Sequence, residues 1–374
     1  MINLTIIINK NSLILYLTDI DKAPRQRFMK KALTILTLFV SIFSYAQQDP
    51  YYTHFKDVMQ AYNPAAAGHK YGEICLSGLT HHQWRDYDDM TKTRGTNGSV
   101  EGLIEDVAPV TYNFNVGTVF KLDKAERHYL GAGISVIDDQ IGFTKSTAFM
   151  VNLNYRKVIQ ARDQELRAGI GIGGTQWGWD EPKYVARQQL DPNIPVSGAN
   201  QMKFDLNLGV MFKQKRLGNS INDFYAGFSM TNLNQANYSV NVTTLGGTQA
   251  ALNRKYVPHY YTLVGGDIPV GGFILEPAIL AKYGLLQKAY VPQVDINVTA
   301  FFANTLRGGI GFRQWGTSDA LSLLLGYEKG PLEFGYSYDV TLSNVQLVSN
   351  GTHEIMVKYC IPFAVTPPTS IIRE

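Results

Sequence analysis

The sequence contains only two cysteines, Cys75 and Cys360, which is too few for a fold held together by several disulfides. After residue 46 it lacks any apolar run near the ~18–20 residues that a membrane-spanning helix needs. It also lacks a strong excess of one charge. Residues 1–46 contain six basic residues (Lys or Arg) and two acidic residues (both Asp). Without them the net charge changes from +3 to −1. The chain beyond residue 46 therefore gives no support to nucleic-acid binding.

Residues 29–46 have the layout of a secretory signal peptide. A basic start at 29–31 is followed by the apolar run 32–43 and by the small-x-small sequence Ser-Tyr-Ala at 44–46. This layout predicts cleavage after Ala46 and export of a mature chain that begins at Gln47. Residues 1–28 precede a layout that normally stands first, so we interpret them as an upstream extension from a mis-assigned start codon. A genuine longer leader is the alternative.

Strict alternation of apolar with polar or small residues dominates the mature chain. Between Met202 and Phe212 the even positions are apolar, and most odd positions, beginning with Lys203, are polar or small. Residues 110–121, 293–302 and 332–341 repeat the pattern. Because neighbouring side chains of a strand point to opposite faces, these segments predict strands with one apolar and one polar face.

Two architectures have such strands, a soluble β-sandwich and an outer-membrane β-barrel. The alternating runs are mostly longer than the five or six residues typical of soluble strands, and they match the roughly 9–11 residues of a tilted membrane-spanning strand. Length therefore favours an all-β, antiparallel transmembrane outer-membrane barrel. We predict fourteen strands, at residues 71–84, 110–121, 129–138, 146–159, 165–176, 202–214, 223–232, 257–267, 273–284, 292–302, 306–315, 319–328, 332–341 and 351–363.

The connections between these strands predict the orientation of the barrel. With a periplasmic N-terminus, the long connections 85–109, 177–201 and 233–256 lie outside, and the short ones lie in the periplasm. Residues 96–104 also resemble a strand, and we place them in the first long loop because a further strand would break the even count. Trp84, Trp177 and Trp315 then fall at the upper ends of upward strands, where an aromatic girdle is expected. Residues 364–374 form a periplasmic tail.

Several short motifs, in their order and spacing, resemble the PorP/SprF proteins of the type IX secretion system and gliding motility machinery of Bacteroidetes. The resemblance spans the mature chain and starts at Gln48-Asp49-Pro50. The motif residues are Asn63, Pro64, Gly68, Trp84, Gly335, Tyr336, Tyr338, Asp339, Gly351, His353 and Glu354.

This resemblance implies an outer-membrane barrel without enzymatic activity, which helps to export or anchor surface proteins. It implies three kinds of partner: a secreted adhesin with a type B C-terminal sorting domain, the secretion translocon, and periplasmic components of the machinery. Residues 47–70 are then either a structural plug or lead-in at the base of the barrel, or a segment that contacts partners.

Aromatic residues in the long loops are candidate anchors for such a cargo, since aromatic side chains dominate many interfaces. These candidates are Trp177, Trp179, Tyr184 and Tyr238. Asp339 and Glu354 point into the lumen near the extracellular end. We expect them to join a lumenal network with Arg307 or Arg313, and direct contact with cargo is the alternative.

On this interpretation, three other motifs do not form a metal, cofactor or catalytic site. His81 and His82 point to opposite faces of a strand, so we predict no metal site. The glycines at 169–174 lie within a strand and cannot form a dinucleotide loop, so we predict no cofactor. Ser337 and His353 lie on opposite faces, which excludes a catalytic pair.

Cys75 and Cys360 lie on the lumenal faces of the first and last strands. Barrel closure makes these strands neighbours, so a disulfide across the seam is one outcome and two free thiols the other. A rival function is transport of small apolar or nutrient solutes, for which a solute-sized apolar cavity or a lateral opening is the discriminating feature. A soluble sandwich ranks third.

Overall fold

The computed structural model describes residues 4–9, 12–17, 49–85, 108–179, 192, 196–284, 293–315, 320–343, 346 and 349–363. Met1–Ala46 and Gln47–Glu374 form two separate compact units. In the first unit, strands β1 (Leu4–Asn9) and β2 (Ser12–Leu17) pair as an antiparallel hairpin. The predicted signal peptide 29–46, the strand-like stretch 96–104 and the tail 364–374 lie outside the described residues.

The second unit is a closed antiparallel barrel of fourteen strands, which confirms the fold predicted from the alternation. Each predicted strand overlaps one barrel strand. The barrel strands are β3 (Glu73–His82), β4 (Val110–Lys121), β5 (His128–Ile141), β6 (Thr144–Ile159), β7 (Gln164–Trp179), β8 (Ala199–Leu217), β9 (Ile221–Thr231), β12 (His259–Val270), β13 (Phe273–Gly284), β14 (Gln293–Phe302), β15 (Leu306–Trp315), β16 (Ala320–Lys329), β17 (Leu332–Thr341) and β18 (Thr352–Pro362).

Three further features differ from the predicted pattern. The connection between β9 and β12 contains its own hairpin, β10 (Asn237–Thr243) and β11 (Gln249–Lys255). Strands β5 and β6 extend until only two residues, Gly142 and Phe143, separate them, and Gly142 takes a φ of +58° in this turn. Three-residue 3-10 helices occur at Met59–Ala61, Pro64–Ala66 and Gln160–Arg162.

The outer face of the barrel is apolar, and the inner face is polar. Large apolar side chains such as Met202, Phe204, Leu323 and Leu325 are exposed on the outside, while the alternating residues are buried or half-buried. A continuous apolar outer surface is unfavourable in water and favourable in hydrocarbon, as in a membrane-spanning barrel. No helix within the described residues is long and apolar enough to cross a bilayer.

The two ends of the barrel differ in their connections. At one end, here called the turn end, tight turns such as 271–272, 303–305 and 330–331 join the strands. At the other, here called the loop end, the longest connections run from 83 to 109, 180 to 198 and 232 to 258. In barrels of this kind the long loops face the exterior of the cell and the short turns the periplasm.

A disulfide joins the first and last barrel strands near the turn end. Cys75 of β3 lies directly opposite Cys360 of β18, and the two sulfur atoms are bonded at 2.07 Å. His69 and Glu73 lie beside this pair, but the bond occupies both sulfur atoms that a metal ion would need. The seam at which the barrel closes is therefore linked covalently as well as by backbone hydrogen bonds.

Replacing Cys75 by serine is expected to destabilise the barrel. The disulfide closes a loop with a sequence separation of 285 residues, and the chain-entropy model gives such a cross-link up to about 5 kcal/mol. On non-reducing gels of heat-denatured protein, the wild type should change mobility when reductant is added. Cys75→Ser should not, and it should unfold at a lower temperature. An identical melting temperature for the variant and the oxidised wild type would contradict this expectation.

Candidate functional site

Residues 49–72, here called the inner segment, run through the lumen from the loop end to the start of β3 at the turn end. Tyr52, Phe55, Val58 and Tyr62 are buried in one cluster with wall residues that include Leu263. The lumen is therefore filled by the chain's own N-terminal region, which packs through apolar side chains inside an otherwise polar wall.

Glycines of the barrel wall make room for the inner segment. A Cβ atom at Gly169 would lie 2.5 Å from the nitrogen of Ala65, and one at Gly131 would lie 2.5 Å from the oxygen of Ala67. Gly117, Gly133, Gly209 and Gly335 have similarly close approaches to inner-segment atoms. Because real Cβ atoms hardly ever come closer than 3.0 Å, the segment can take this position only where the wall has no side chain.

In the sequence, these glycines are only small residues within the predicted strands. The structure shows that backbone and side-chain atoms of residues 54–68 occupy that space. The prediction that these glycines lie within a strand is confirmed for Gly169, Gly171 and Gly173, which are part of β7.

At the loop end, Asp49 fixes the beginning of the inner segment. Its carboxylate accepts hydrogen bonds from Thr231 and Tyr261 at 3.1 and 3.0 Å, and the Lys282 amine donates to its backbone oxygen at 2.5 Å. Burial alone would raise the pKa of Asp49, but the interactions with His259 and Lys282 and the hydrogen bonds bring it below the ordinary value. The carboxylate is therefore held ionised in the upper lumen.

Glu354 and Asp339 bind the next residues of the inner segment. Glu354, which is 0% exposed, accepts the backbone N–H groups of Thr53 and His54 at 2.9 and 2.6 Å and contacts His81 at 2.7 Å. Asp339 accepts the Thr53 hydroxyl at 2.9 Å. Both acids therefore lie beneath the inner segment rather than in the open mouth.

Arg313 completes this network, as one of the two expected arginine partners. Its guanidinium bonds Asp295 at 2.5 Å and Asp339 at 2.8 Å, and it also stacks on Tyr51, 3.9 Å from the ring centroid. Arg307 lies at the turn end instead, where it pairs with Glu276 and Glu333. The two carboxylates and the aromatic face therefore compensate the positive charge of this buried arginine.

Near the turn end, backbone oxygens of the inner segment accept hydrogen bonds from a side chain of the barrel wall. Arg156 donates to the oxygens of Ala67 and Gly68 at 2.5 and 2.6 Å. Gly68 takes a φ of +77°, and a Cβ there would meet the oxygen of Thr118. Asn63 caps the 3-10 helix Pro64–Ala66 by accepting the N–H of Ala65 at 2.9 Å. The motif residues Asn63, Pro64 and Gly68 therefore shape the turn that docks on the wall.

The turn end contains a charged cavity of about 510 Å³. It is lined by Lys56 and Lys358 and by the carboxylates of Glu276 and Glu333, among others. Lys56 pairs with Glu276 at 2.5 Å, and Lys358 pairs with Glu333 at 3.1 Å. A second cavity, of about 70 Å³, lies under the loop end beside Tyr62, Tyr261 and Leu280.

The loop-end aromatics are packed inward. Trp177 and Tyr238 are only 5% and 2% exposed, so the expectation that they are exposed anchors is wrong. Their ring centroids lie 6.0 Å apart, and the Tyr238 hydroxyl donates to the oxygen of Thr175 at 2.8 Å. Tyr256 and Arg254 pack against the same rings. This aromatic cluster fastens the β10–β11 hairpin to the barrel.

The predicted tryptophan girdle needs the same correction. Trp177 lies on the inward register of β7, with Arg167 and Thr175, and so cannot face lipid. Trp179 is partly exposed and packs against Phe143, with ring centroids 5.5 Å apart. Tyr184 lies outside the described residues. The hairpin, which the alternation did not predict, explains why an aromatic residue stands on the polar face here.

Replacing Tyr238 by alanine is expected to loosen the hairpin. The change removes a buried ring and its hydrogen bond, a loss of about 3–5 kcal/mol for large buried aromatics. Trypsin should then cut faster after Arg254 or Lys255, as seen by mass spectrometry of the purified barrel. Ser239→Ala, at the exposed neighbouring position, should leave the cleavage rate unchanged. Equal rates for both variants would mean that the cluster does not hold the hairpin.

A family model described as type IX secretion system membrane protein PorP/SprF matches residues 44–359. No curated protein matches the chain.

Two solved structures are reported for comparison, and the first of them supports a similar fold at low sequence identity. The toluene transporter TbuX of Ralstonia pickettii has a TM-score of 0.51 and 9% identity, over 81% of this chain and 92% of that one. A FadL homologue of Pseudomonas aeruginosa has a TM-score of 0.49 and 11% identity, over 81% and 93% of the two chains.

Proposed function

The chain belongs to the PorP/SprF family of type IX secretion system membrane proteins, and we propose that it helps to export and anchor surface proteins by binding their C-terminal sorting domains. It does so as an outer-membrane barrel, exported by its signal peptide, and without catalysis. Its cargo is a secreted adhesin. The secretion translocon and periplasmic machinery dock at the turn end.

The filled lumen is the observation that carries this proposal. Residues 49–68 occupy the interior, and buried hydrogen bonds hold them to the wall from Asp49 down to Gly68. A folded cargo domain therefore has no room inside the barrel while the segment is seated. We therefore propose that binding takes place at the loop end, on the β10–β11 hairpin and the long connections.

The inward position of Trp177 and Tyr238 changes their proposed role. They position the hairpin rather than contact the cargo, and Asp339 and Glu354 position the inner segment beneath the mouth. We keep Trp179, at the end of β7, and Tyr184, in the long connection after it, as proposed contacts with the cargo. The exposed side of the hairpin presents polar residues, among them Ser239, Asn241 and Asn253. Adaptable polar groups of this kind suit contact with a folded domain.

Transport of small apolar solutes is less well supported. The cavity between the inner segment and the upper wall measures about 70 Å³, whereas sites for drug-sized ligands are about 300–1,000 Å³. The larger cavity at the turn end is lined by charged side chains. Similarity to a toluene transporter concerns the fold alone.

The decisive experiment is a pull-down of the barrel, tagged after Glu374, from gently solubilised outer membranes. Mass spectrometry should recover one large surface protein with a C-terminal sorting domain. Cells without the barrel should release that same protein into the medium. A barrel recovered alone after cross-linking, from cells that retain all their surface proteins, would refute the proposal and favour transport.

A further inference from the structure

Two backbone hydrogen bonds at the ends of the β10–β11 hairpin determine which residues along it are hydrogen-bonded to each other. Thr244 donates its N–H to the oxygen of Thr248 at 2.8 Å, and Tyr256 donates to the oxygen of Ala236 at 3.0 Å. The register of the hairpin continues these two pairs, so the even-numbered residues of both strands bond each other. In an antiparallel ladder the intervening residues direct their N–H and C=O groups to the other side.

The odd-numbered residues of β10 confirm this assignment. The oxygen of Thr243 accepts the N–H of Val196 at 2.8 Å, and the N–H groups of Thr243 and Ser239 bond side chains of Ser197 and Gln201. The outer edge of β10 is therefore covered by the start of β8 and the residues that precede it.

The outer edge of β11 has no such cover within the part of the chain that the structure describes. Gln249, Ala251, Asn253 and Lys255 direct four backbone N–H and four C=O groups outward, and all four side chains are exposed. Seven residues of strand span about 23 Å. An open edge of this length is a template for another strand unless the protein protects it.

The charge of the hairpin restricts what binds there. Residues 233–256 contain Arg254 and Lys255 and no Asp or Glu. Arg254 is engaged with the rings of Trp177 and Tyr256, whereas Lys255 is exposed at the end of the edge. An extended segment with an acidic side chain near this end is the complementary partner.

We propose that the outer edge of β11 receives an extended segment of the secreted surface protein as an added β-strand, with an acidic side chain beside Lys255. This inference rests on the proposed function and names its mode of recognition. Backbone hydrogen bonds supply most of the contact in such strand addition, and alternate side chains supply the selectivity. The aromatic cluster of Trp177, Tyr238 and Tyr256 holds the edge in place before the partner arrives.

A proline at position 251 tests the proposal at a single backbone group. The N–H of Ala251 points away from β10, so Ala251→Pro leaves the hairpin's own ladder intact and puts a ring where the added strand would bond. Ala251→Val is the matched control, because it enlarges the side chain and keeps the N–H group. Pull-down should recover the surface protein with the valine variant at the wild-type level. With the proline variant recovery should fall about tenfold, which corresponds to about 1.4 kcal/mol of binding.

Hydrogen exchange distinguishes a failure of the strand-addition proposal from a failure of the proposed function. The amides of residues 249, 251, 253 and 255 should exchange rapidly in the isolated barrel and slowly in the complex with the surface protein. Equal recovery by the proline and valine variants, or slow exchange in the isolated barrel, would overturn strand addition alone. If the wild-type barrel recovers no surface protein, both the strand addition and the proposed function are overturned.

Discussion

Replacing Gly169 by valine is expected to unseat the inner segment and open the barrel. The new side chain would overlap the backbone of Pro64 and Ala65, since even its Cβ would lie 2.7 and 2.5 Å from their atoms. Overpacking of this kind costs about 1–3 kcal/mol, enough to shift the balance between seated and unseated segment by about 5- to 150-fold. In planar lipid bilayers the variant should give open-channel currents far more often than the wild type.

The matched control for this variant is Gly78→Val. Gly78 also lies in a barrel strand, but a Cβ there would meet nothing within 4 Å. Its currents should equal those of the wild type. Equal currents for the Gly169 and Gly78 variants would show that the glycines of the wall do not form a seat for the segment.

Replacing Glu354 by alanine is expected to release the part of the inner segment nearest the loop end. The change leaves the buried N–H groups of Thr53 and His54 and the His81 ring without their carboxylate. Removing one partner from a buried charged network destabilises by about 3–5 kcal/mol. Hydrogen exchange at residues 53 and 54 should accelerate from about 10²-fold to a few times 10³-fold, since each 1.4 kcal/mol is a factor of ten.

Glu333→Ala provides the comparison for Glu354→Ala. Glu333 is also buried and faces the lumen from the adjacent strand, but its partners are Arg307 and Lys358 at the turn end. Exchange at residues 53 and 54 should stay slow in this variant. If the two alanine variants accelerated exchange equally, the effect would be a general loosening of the barrel rather than loss of the Glu354 contacts.

The strands could be predicted because their signal is local. Each alternating run, such as Met202 to Phe212, shows by itself which residues lie on each face of its strand. The alternation arises because one face contacts hydrocarbon and the other faces the polar interior of the barrel. The same locality explains the error at Trp177. Its neighbours in sequence gave no sign that the β10–β11 hairpin, some sixty residues later, would cover it.

The contacts of the inner segment could not be predicted in this way. Thr53 and Glu354 lie 301 residues apart in sequence, and Arg313 meets the Thr53 hydroxyl across a separation of 260. Asn63, Pro64 and Gly68 favour a turn through their own backbone preferences. Which wall residues that turn meets depends on the order in which fourteen strands close.

The sequence by itself therefore determined the barrel, its strand number, its lipid-facing side and its family resemblance, because these follow from residue periodicity and short motifs. Only the tertiary structure decided that residues 49–68 fill the lumen, that Cys75 and Cys360 are joined, and that β11 presents an open edge. These features depend on which distant residues become neighbours when the sheet closes, and no local pattern contains that information.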